Sequence, residues 1–141
     1  MEHNTLLIIK PNATAKNKVG AIIKMVEDHG FIIERIKMFR FDEKLAKEFY
    51  TEHIGKPFFG RLMEFMLSGT VVGVVLHRDS AVPLLRELIG NTIIGKAKAG
   101  TIRYLFADTS TRNAVHASDS IARAKVEIEL IFPELKQENF S

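Results

Sequence analysis

Leu6, Leu7, Ile8 and Ile9 form a short apolar run that stops at Lys10-Pro11, the pattern of a buried strand entering a forced turn. Val19, Ile22, Ile23 and Val26 then recur at helical spacing, and His29-Gly30 supplies a C-terminal stop. Phe31 to Phe41 is rich in β-formers with imperfect alternation and reads as a strand. Asp42 suits an N-cap before a helix carrying Leu45, Ala46 and Phe49. Pro57 opens a new segment in which Phe58, Leu62, Phe65 and Met66 suit a short helix ending near Gly69. Thr70 to Leu76 (TVVGVVL) is β-branched, uncharged and short, the clearest strand in the chain. Ser80 is positioned to cap a helix through Ile89, with Pro83 tolerated in its first turn and Gly90 after its end. Asn91 to Gly100 is small, polar and basic, and reads as a surface loop. Asn113 to His116 closes a further strand. A last helix starts at Asp119 or Ser120, carries Ile121, Ala124, Ile128 and Ile131 on one face, and stops at Phe132-Pro133 before a loose tail.

Strands and helices therefore alternate without a strict βαβαβ cadence. Three or four strands with helices packed on one face predict an α/β sandwich in one domain spanning 1–141. The expected core is ferredoxin-like, βαββαβ, with a four-stranded antiparallel sheet covered by helices.

Composition narrows the chemistry. Hydrophobic residues make up 46% and charged residues 26% of the 141, an ordinary globular mix able to bury a core. With no cysteine, disulfides, thiolate metal sites and a cysteine nucleophile are excluded. The N-terminus MEHNTLLIIK lacks a basic stretch leading into an apolar one, and the longest apolar runs are far short of a membrane span. A soluble cytoplasmic protein without membrane contact is expected. Twenty basic residues against seventeen acidic ones leave a net charge of +3, a mild excess.

The candidate chemistry lies in Asn113-Ala114-Val115-His116-Ala117-Ser118-Asp119-Ser120. A histidine between a strand and a helix N-terminus stands where unpaired N–H groups attract anions, and a neutral imidazole there is a nucleophile toward a phosphoryl group. Glu127, on the same helix, is placed to hold the second ring nitrogen. On spacing alone, a histidine in a turn with Ser118 and Asp119 as caps is the commoner arrangement. His3 is expected in a frayed end, and His29, His53 and His77 on the surface. Lys10, Arg86 and Arg103 sit at element edges where cations bind phosphate, and Thr92 adds a hydroxyl. Phe58, beside Phe59, is a platform for an aromatic base or a core residue. The P-loop and Rossmann glycine patterns are missing, and no histidines or carboxylates show metal-ligand spacing, so a metal would arrive with phosphates.

From about Thr5 to Phe132 the chain resembles the nucleoside diphosphate kinase family. The most specific match is Asn113-Ala-Val-His-Ala-Ser-Asp-Ser, similar to the family's N-x-x-H-[G/A]-S-D signature. Supporting blocks are Leu7-Ile-Ile-Lys-Pro-Asn-Ala, Tyr50 with Lys56-Pro-Phe-Phe59, Ser68-Gly69, Gly90-Asn-Thr92 and Gly100-Thr-Ile-Arg103. The resemblance implies ping-pong transfer of a γ-phosphoryl group from a nucleoside triphosphate to a nucleoside diphosphate through a phosphohistidine at His116. It implies that Lys10, Tyr50, Arg86, Thr92, Arg103 and Asn113 surround phosphates and sugar, that Phe58 stacks on the base, and that Ser118 and Glu127 support the histidine. It further implies Mg²⁺ bridging the phosphates, the ferredoxin-like fold, and a homo-oligomer, tetramer or hexamer. No specific nucleic acid is expected as a partner.

The chain departs from the family pattern at four places. Asn12 replaces the usual Asp, and a lost structural contact is expected. Ala117 stands where Gly is more frequent, Ile93-Ile94 where Asn-Pro is usual, and Tyr104-Leu105-Phe106 where a small residue, Asp and Phe are common. The last two bear on loop rigidity and assembly more than on the reaction. Two other readings stay open at this level. One is a single-strand nucleic-acid binder, against which the basic residues are dispersed and the aromatics unclustered. The other is a non-catalytic relative, against which the phosphate-binding set is intact.

Overall fold

The computed structural model describes residues 3–137. Its strands are β1 (Asn4–Ile9), β2 (Ile32–Phe39), β3 (Val71–His77) and β4 (Val115–Ala117). Its helices are α1 (Pro11–Ala15), α2 (Val19–Asp28), α3 (Glu43–Phe49), α4 (Phe59–Leu67), α5 (Ala81–Ile89), α6 (Ile102–Phe106) and α7 (Ile121–Ile131). Short 3₁₀ turns cover Thr51–His53 and Pro133–Gln137. The strands form one antiparallel sheet in the order β2-β3-β1-β4, the ferredoxin-like arrangement.

The apolar runs explain the layering. Every position of β1 is buried, and β3 is buried up to His77. A strand buried on both faces needs no alternation. Leu7 and Ile9 pack on one side with Val74 and Leu76, beneath Ile22 and Val26 of α2 and Leu85 and Ile89 of α5. Leu6 and Ile8 pack on the other side with Val75, against Phe49, Phe65, Met66, Ile128 and Ile131 from α3, α4 and α7. Helices thus cover both faces, not the single face expected. Each large side chain withdrawn from water in this way contributes about 1.5–3 kcal/mol. α7 approaches β3 closely at Gly73, where an added Cβ would stand 3.0 Å from Ile131 Cγ2.

β2 is an edge strand. A bulge between Ile33 and Arg35 shifts its phase, which accounts for the irregular alternation, and Ile32, Ile36 and Met38 are exposed.

Helix starts are set by local bonds. Asp42 accepts from Leu45 N at 2.7 Å, Thr101 from Tyr104 N at 3.2 Å and Ser120 from Arg123 N at 3.0 Å. Ser80 occupies the cap position of α5 but has φ +56°, and its hydroxyl accepts no helix N–H.

Other expectations need correction. The turn at Pro11 is the short helix α1, with the proline in its first turn, and α6 follows the 91–100 loop unforeseen. Five residues are too few to show a helical period. Ile121 is exposed; the buried stripe of α7 is Ala124, Glu127, Ile128 and Ile131. His3 is tied down, its carbonyl accepting from Arg78 N at 2.9 Å. The first part of the expected loose tail, Pro133–Gln137, is a 3₁₀ turn with Leu135 buried, and residues 138–141 lie outside the described residues.

Gly90 ends α5 with φ +88°, and a Cβ there would stand 2.5 Å from Thr101 Oγ1. Gly90→Ala meets both a strained backbone and the cap of α6. It should cost about 2 kcal/mol in equilibrium urea unfolding.

Candidate active site

β1 delivers Lys10 just past its last residue, between Arg103 and the segment leading to β4. The Lys10 side chain is buried and its Nζ donates to Asn113 Oδ1 at 2.9 Å. Burial, reinforced by the Arg103 charge, pushes its pKa down to about 7. Arg103, on α6, is also buried, donating from Nη1 to Gly90 O at 2.9 Å and from Nη2 to Val115 O at 2.8 Å. Burial and then the Arg86 charge bring its pKa down to about 10. Two basic side chains are therefore buried at one cavity, and among the described residues no carboxylate is bonded to either.

β4 alternates like any strand. Val115 and Ala117 point into the α2/α5 side of the core, and His116 points to the other, between Phe49 and Tyr50, with ring centroids 4.9 and 6.1 Å away. His116 thus lies inside the strand, with Ile8 opposite it, and α7 starts beyond Ser120. This differs from the expected position at a helix N-terminus.

His116 Nε2 stands 2.8 Å from Glu127 Oε1. Ser118 Oγ donates to the same oxygen at 2.7 Å, and Arg123 Nε to Oε2 at 3.2 Å. Burial opposes ionisation of Glu127, but the bonds from His116 and Ser118 and the Arg123 charge outweigh it and hold the carboxyl below its ordinary value. An ionised carboxylate only accepts, so the bonded Nε2 carries the proton. In the neutral ring this leaves the Nδ1 lone pair free.

A cavity of about 480 Å³ opens at this imidazole. Its lining includes Lys10, Tyr50, Phe58, Thr92, Arg103, Asn113 and His116. Seven of the ten residues expected at the site therefore share one cleft. Glu127 and Ser118 lie behind the imidazole. Arg86 borders the site, its Nη1 3.5 Å from Ala117 O. Two buried donors in the lining, Tyr50 Oη and Arg103 Nε, have no hydrogen-bond partner among the described residues. Burial, then the Glu127 charge, raises the Tyr50 pKa, so its hydroxyl keeps its proton. Among the described residues no group of three or more His, Cys, Asp or Glu is arranged to hold a metal ion.

The sequence reading missed His53, Arg61, Leu62, Ser110 and Thr111, which complete the lining. His53 stacks on Tyr50 with centroids 6.0 Å apart and is not a plain surface residue. The run of hydroxyls just before Asn113 was the available hint for Ser110 and Thr111. The 91–100 loop is held without its proline: Ile93 N donates to Asn91 Oδ1 at 2.8 Å and Ile94 N to Ser110 Oγ at 3.1 Å. Asn12, where the family usually has Asp, makes three side-chain hydrogen bonds. Its amide donates to Asp108 Oδ2 and to Arg112 O, both at 2.9 Å, and accepts from Ala114 N at 3.2 Å.

Known proteins share this arrangement of elements. Residues 3–137 match the family model described as nucleoside diphosphate kinase. The nucleoside diphosphate kinase of Campylobacter lari is 49% identical over 128 residues, covering 91% of this chain and 93% of that one. The Chloroherpeton thalassium enzyme of the same name is 44% identical over 128 residues, 91% of each chain. The crystal structure of the Aquifex aeolicus nucleoside diphosphate kinase superposes with a TM-score of 0.89 at 43% identity, over 92% of this chain and 94% of that one. That from Encephalitozoon cuniculi gives 0.92 at 30% identity, over 98% and 94%. The described fold from end to end, and close to half of its residues, are thus held in common, and the chain belongs to the nucleoside diphosphate kinase family.

Proposed function

We propose that His116 is the residue that carries the phosphoryl group in the exchange between nucleoside triphosphates and diphosphates that this enzyme family catalyses. The carrying observation is the 2.8 Å contact of Nε2 with Glu127, which leaves Nδ1 as the nucleophile toward the cavity. Nδ1 attacks the γ-phosphorus; the P–N bond forms as the bond to the bridging oxygen breaks, and the nucleoside diphosphate departs with that electron pair. A second diphosphate attacks the phosphohistidine with a terminal oxygen and restores the imidazole. Glu127 balances the charge that the ring gains during transfer, and Ser118 fixes that carboxylate.

Phosphoryl transfer leaves the protein mainly positioning and charge stabilisation. Lys10, Arg103 and the nearby Arg86 supply positive charge, and Tyr50, Thr92 and Asn113 supply hydrogen bonds. Tyr50 Oη and Arg103 Nε, buried and without a partner among the described residues, are donors that a polyphosphate would satisfy. Phe58, half-exposed at the mouth, offers its face to a base, and stacking accepts every base. Mg²⁺, which neutralises phosphate charge, fits a cleft with cations but no free carboxylate when the nucleotide brings it in. No described helix is long and apolar enough to cross a membrane. The cytoplasm, where nucleotides are exchanged, is the compartment we assign. A homo-oligomer, tetramer or hexamer, is the assembly we assign, supported by the open edge of β2 and its exposed Ile32, Ile36 and Met38.

Incubation with γ-labelled ATP should give one acid-labile, base-stable label per chain. His116→Ala should abolish it and lower exchange by about 10⁴-fold or more; equal labelling of the variant would refute the assignment.

Lys10 yields a pH prediction. Its folded value of about 7 lies below the ordinary value near 10.4. Between those pH values the unfolded chain holds a proton that the free folded protein lacks, so Lys10 makes stability rise with pH across that window. A bound polyphosphate favours the charged form. At pH 8 nucleotide binding should therefore take up close to one proton, at pH 6 almost none. Titration calorimetry in buffers of different ionisation enthalpy reads the uptake, and Lys10→Met should remove it.

Light scattering after size exclusion should give a mass of several chains, and Ile36→Asp should shift it to smaller species.

A further inference from the structure

The chain makes an unusual turn two residues before His116. Ala114 is fully buried with φ +76°, and Val115 N donates to Asn113 O at 2.9 Å across it. A bond from residue i+2 back to residue i around a left-handed centre is a γ-turn of the strained kind, rarely adopted by a residue with a Cβ. Such a conformation persists only where its surroundings hold it. Here both polar groups of Ala114 are held, one from the end of β1 and one from α1. Lys10 N donates to Ala114 O at 2.8 Å, and Ala114 N donates to Asn12 Oδ1 at 3.2 Å.

Asn12 also grips the loop that leads into this turn. Residues 108–112 close on themselves, with Asp108 N and Thr109 N both donating to Arg112 O. The Asn12 amide adds its two bonds there, to Asp108 Oδ2 and Arg112 O. Lys16 pairs with the other Asp108 oxygen. One buried amide therefore uses its donor side on the loop and its acceptor side on the γ-turn. Beyond the turn the chain carries Asn113, bonded to Lys10 Nζ, and His116, bonded to Glu127.

We propose that Asn12 is a positioning residue for phosphoryl transfer: by fastening the 108–112 loop and the γ-turn at Ala114 to α1, it sets Asn113 and His116 against Lys10. The inference rests on the reading of His116 as the phosphoryl carrier. It requires an amide. An isosteric carboxylate would keep the acceptor for Ala114 N but would turn an oxygen toward the Asp108 carboxylate and the Arg112 carbonyl, where like partial charges repel.

The test is a set of exchanged partners: Asn12→Asp, Asp108→Asn and both together, with circular dichroism, kcat, KM and label stoichiometry measured for each. Asn12→Asp should lower kcat at least tenfold while KM for the diphosphate stays within about threefold, because Lys10, Tyr50, Phe58, Thr92 and Arg103, which line the same cleft, lie outside the segment that Asn12 fastens. Asp108→Asn alone should stay near the parent, and in the Asn12→Asp background it should recover most of the lost kcat by returning a donor to the pair. Full kcat in Asn12→Asp, a loss confined to KM, or no recovery in the double variant would each overturn the proposal. If Asn12→Asp does not fold, Asn12→Ala against Asn12→Ala with Ala114→Gly serves instead. Glycine needs no help at positive φ and should recover kcat, and failure to do so overturns the proposal equally. A parent protein whose label lies elsewhere than His116 would instead remove the reading beneath.

Discussion

Glu127 Oε1 and His116 Nε2 stand 2.8 Å apart, and the rest of the site takes its orientation from that bond. A buried carboxylate is costly unless its lone pairs are used, and this one is met by His116, Ser118 and Arg123. Arg123 in turn donates to Phe49 O at 3.0 Å, so the network joins α7 to α3 across the helix layer under the imidazole. The ring is fixed in rotation and in tautomer by groups that are themselves fixed. A free imidazole on a three-residue strand would have neither constraint.

On the other side of the ring the protein accepts an electrostatic penalty. Lys10 and Arg103 lie buried near one another, and burial lowers the pKa of each. Backbone carbonyls and Asn113 satisfy part of their donors, but no described carboxylate neutralises them. Such an arrangement is unfavourable in the free protein and becomes favourable when an anion enters. Differential stabilisation of this kind is what a polyphosphate site requires, and the hydroxyls and amide of Tyr50, Thr92, Ser110, Thr111 and Asn113 in the same cleft suit that anion as well.

The sheet makes both halves possible. β1 lies between β3 and β4 with helices on either face, so its exit is rigid, and two residues just past that exit serve three roles at once. Lys10 supplies charge, the Lys10 backbone holds Ala114, and Asn12 holds the loop and the turn. The strained γ-turn is tolerated because the core on one side and these bonds on the other leave Ala114 no alternative place.

Much of this was written locally. The runs at Leu6–Ile9 and Thr70–Leu76, the stripe from Val19 to Val26 and the cap at Asp42 determine strands and helices through short-range patterns, and the structure keeps them. The residue types around Asn113-Ala-Val-His116 likewise carried the chemistry, since few other residues attack phosphorus. What periodicity could not express was anything five residues long or shorter in effect: α1, α6, the left-handed Ser80 and the γ-turn. Nor could it tell that helices cover both sheet faces, because an apolar run is equally consistent with several partners. Only the tertiary structure brought Lys10 to Asn113, 103 positions away, and joined Asn12 to Ala114. Those contacts depend on how strands pair, and strand pairing is settled by the packing of the whole chain, which no single stretch of sequence contains.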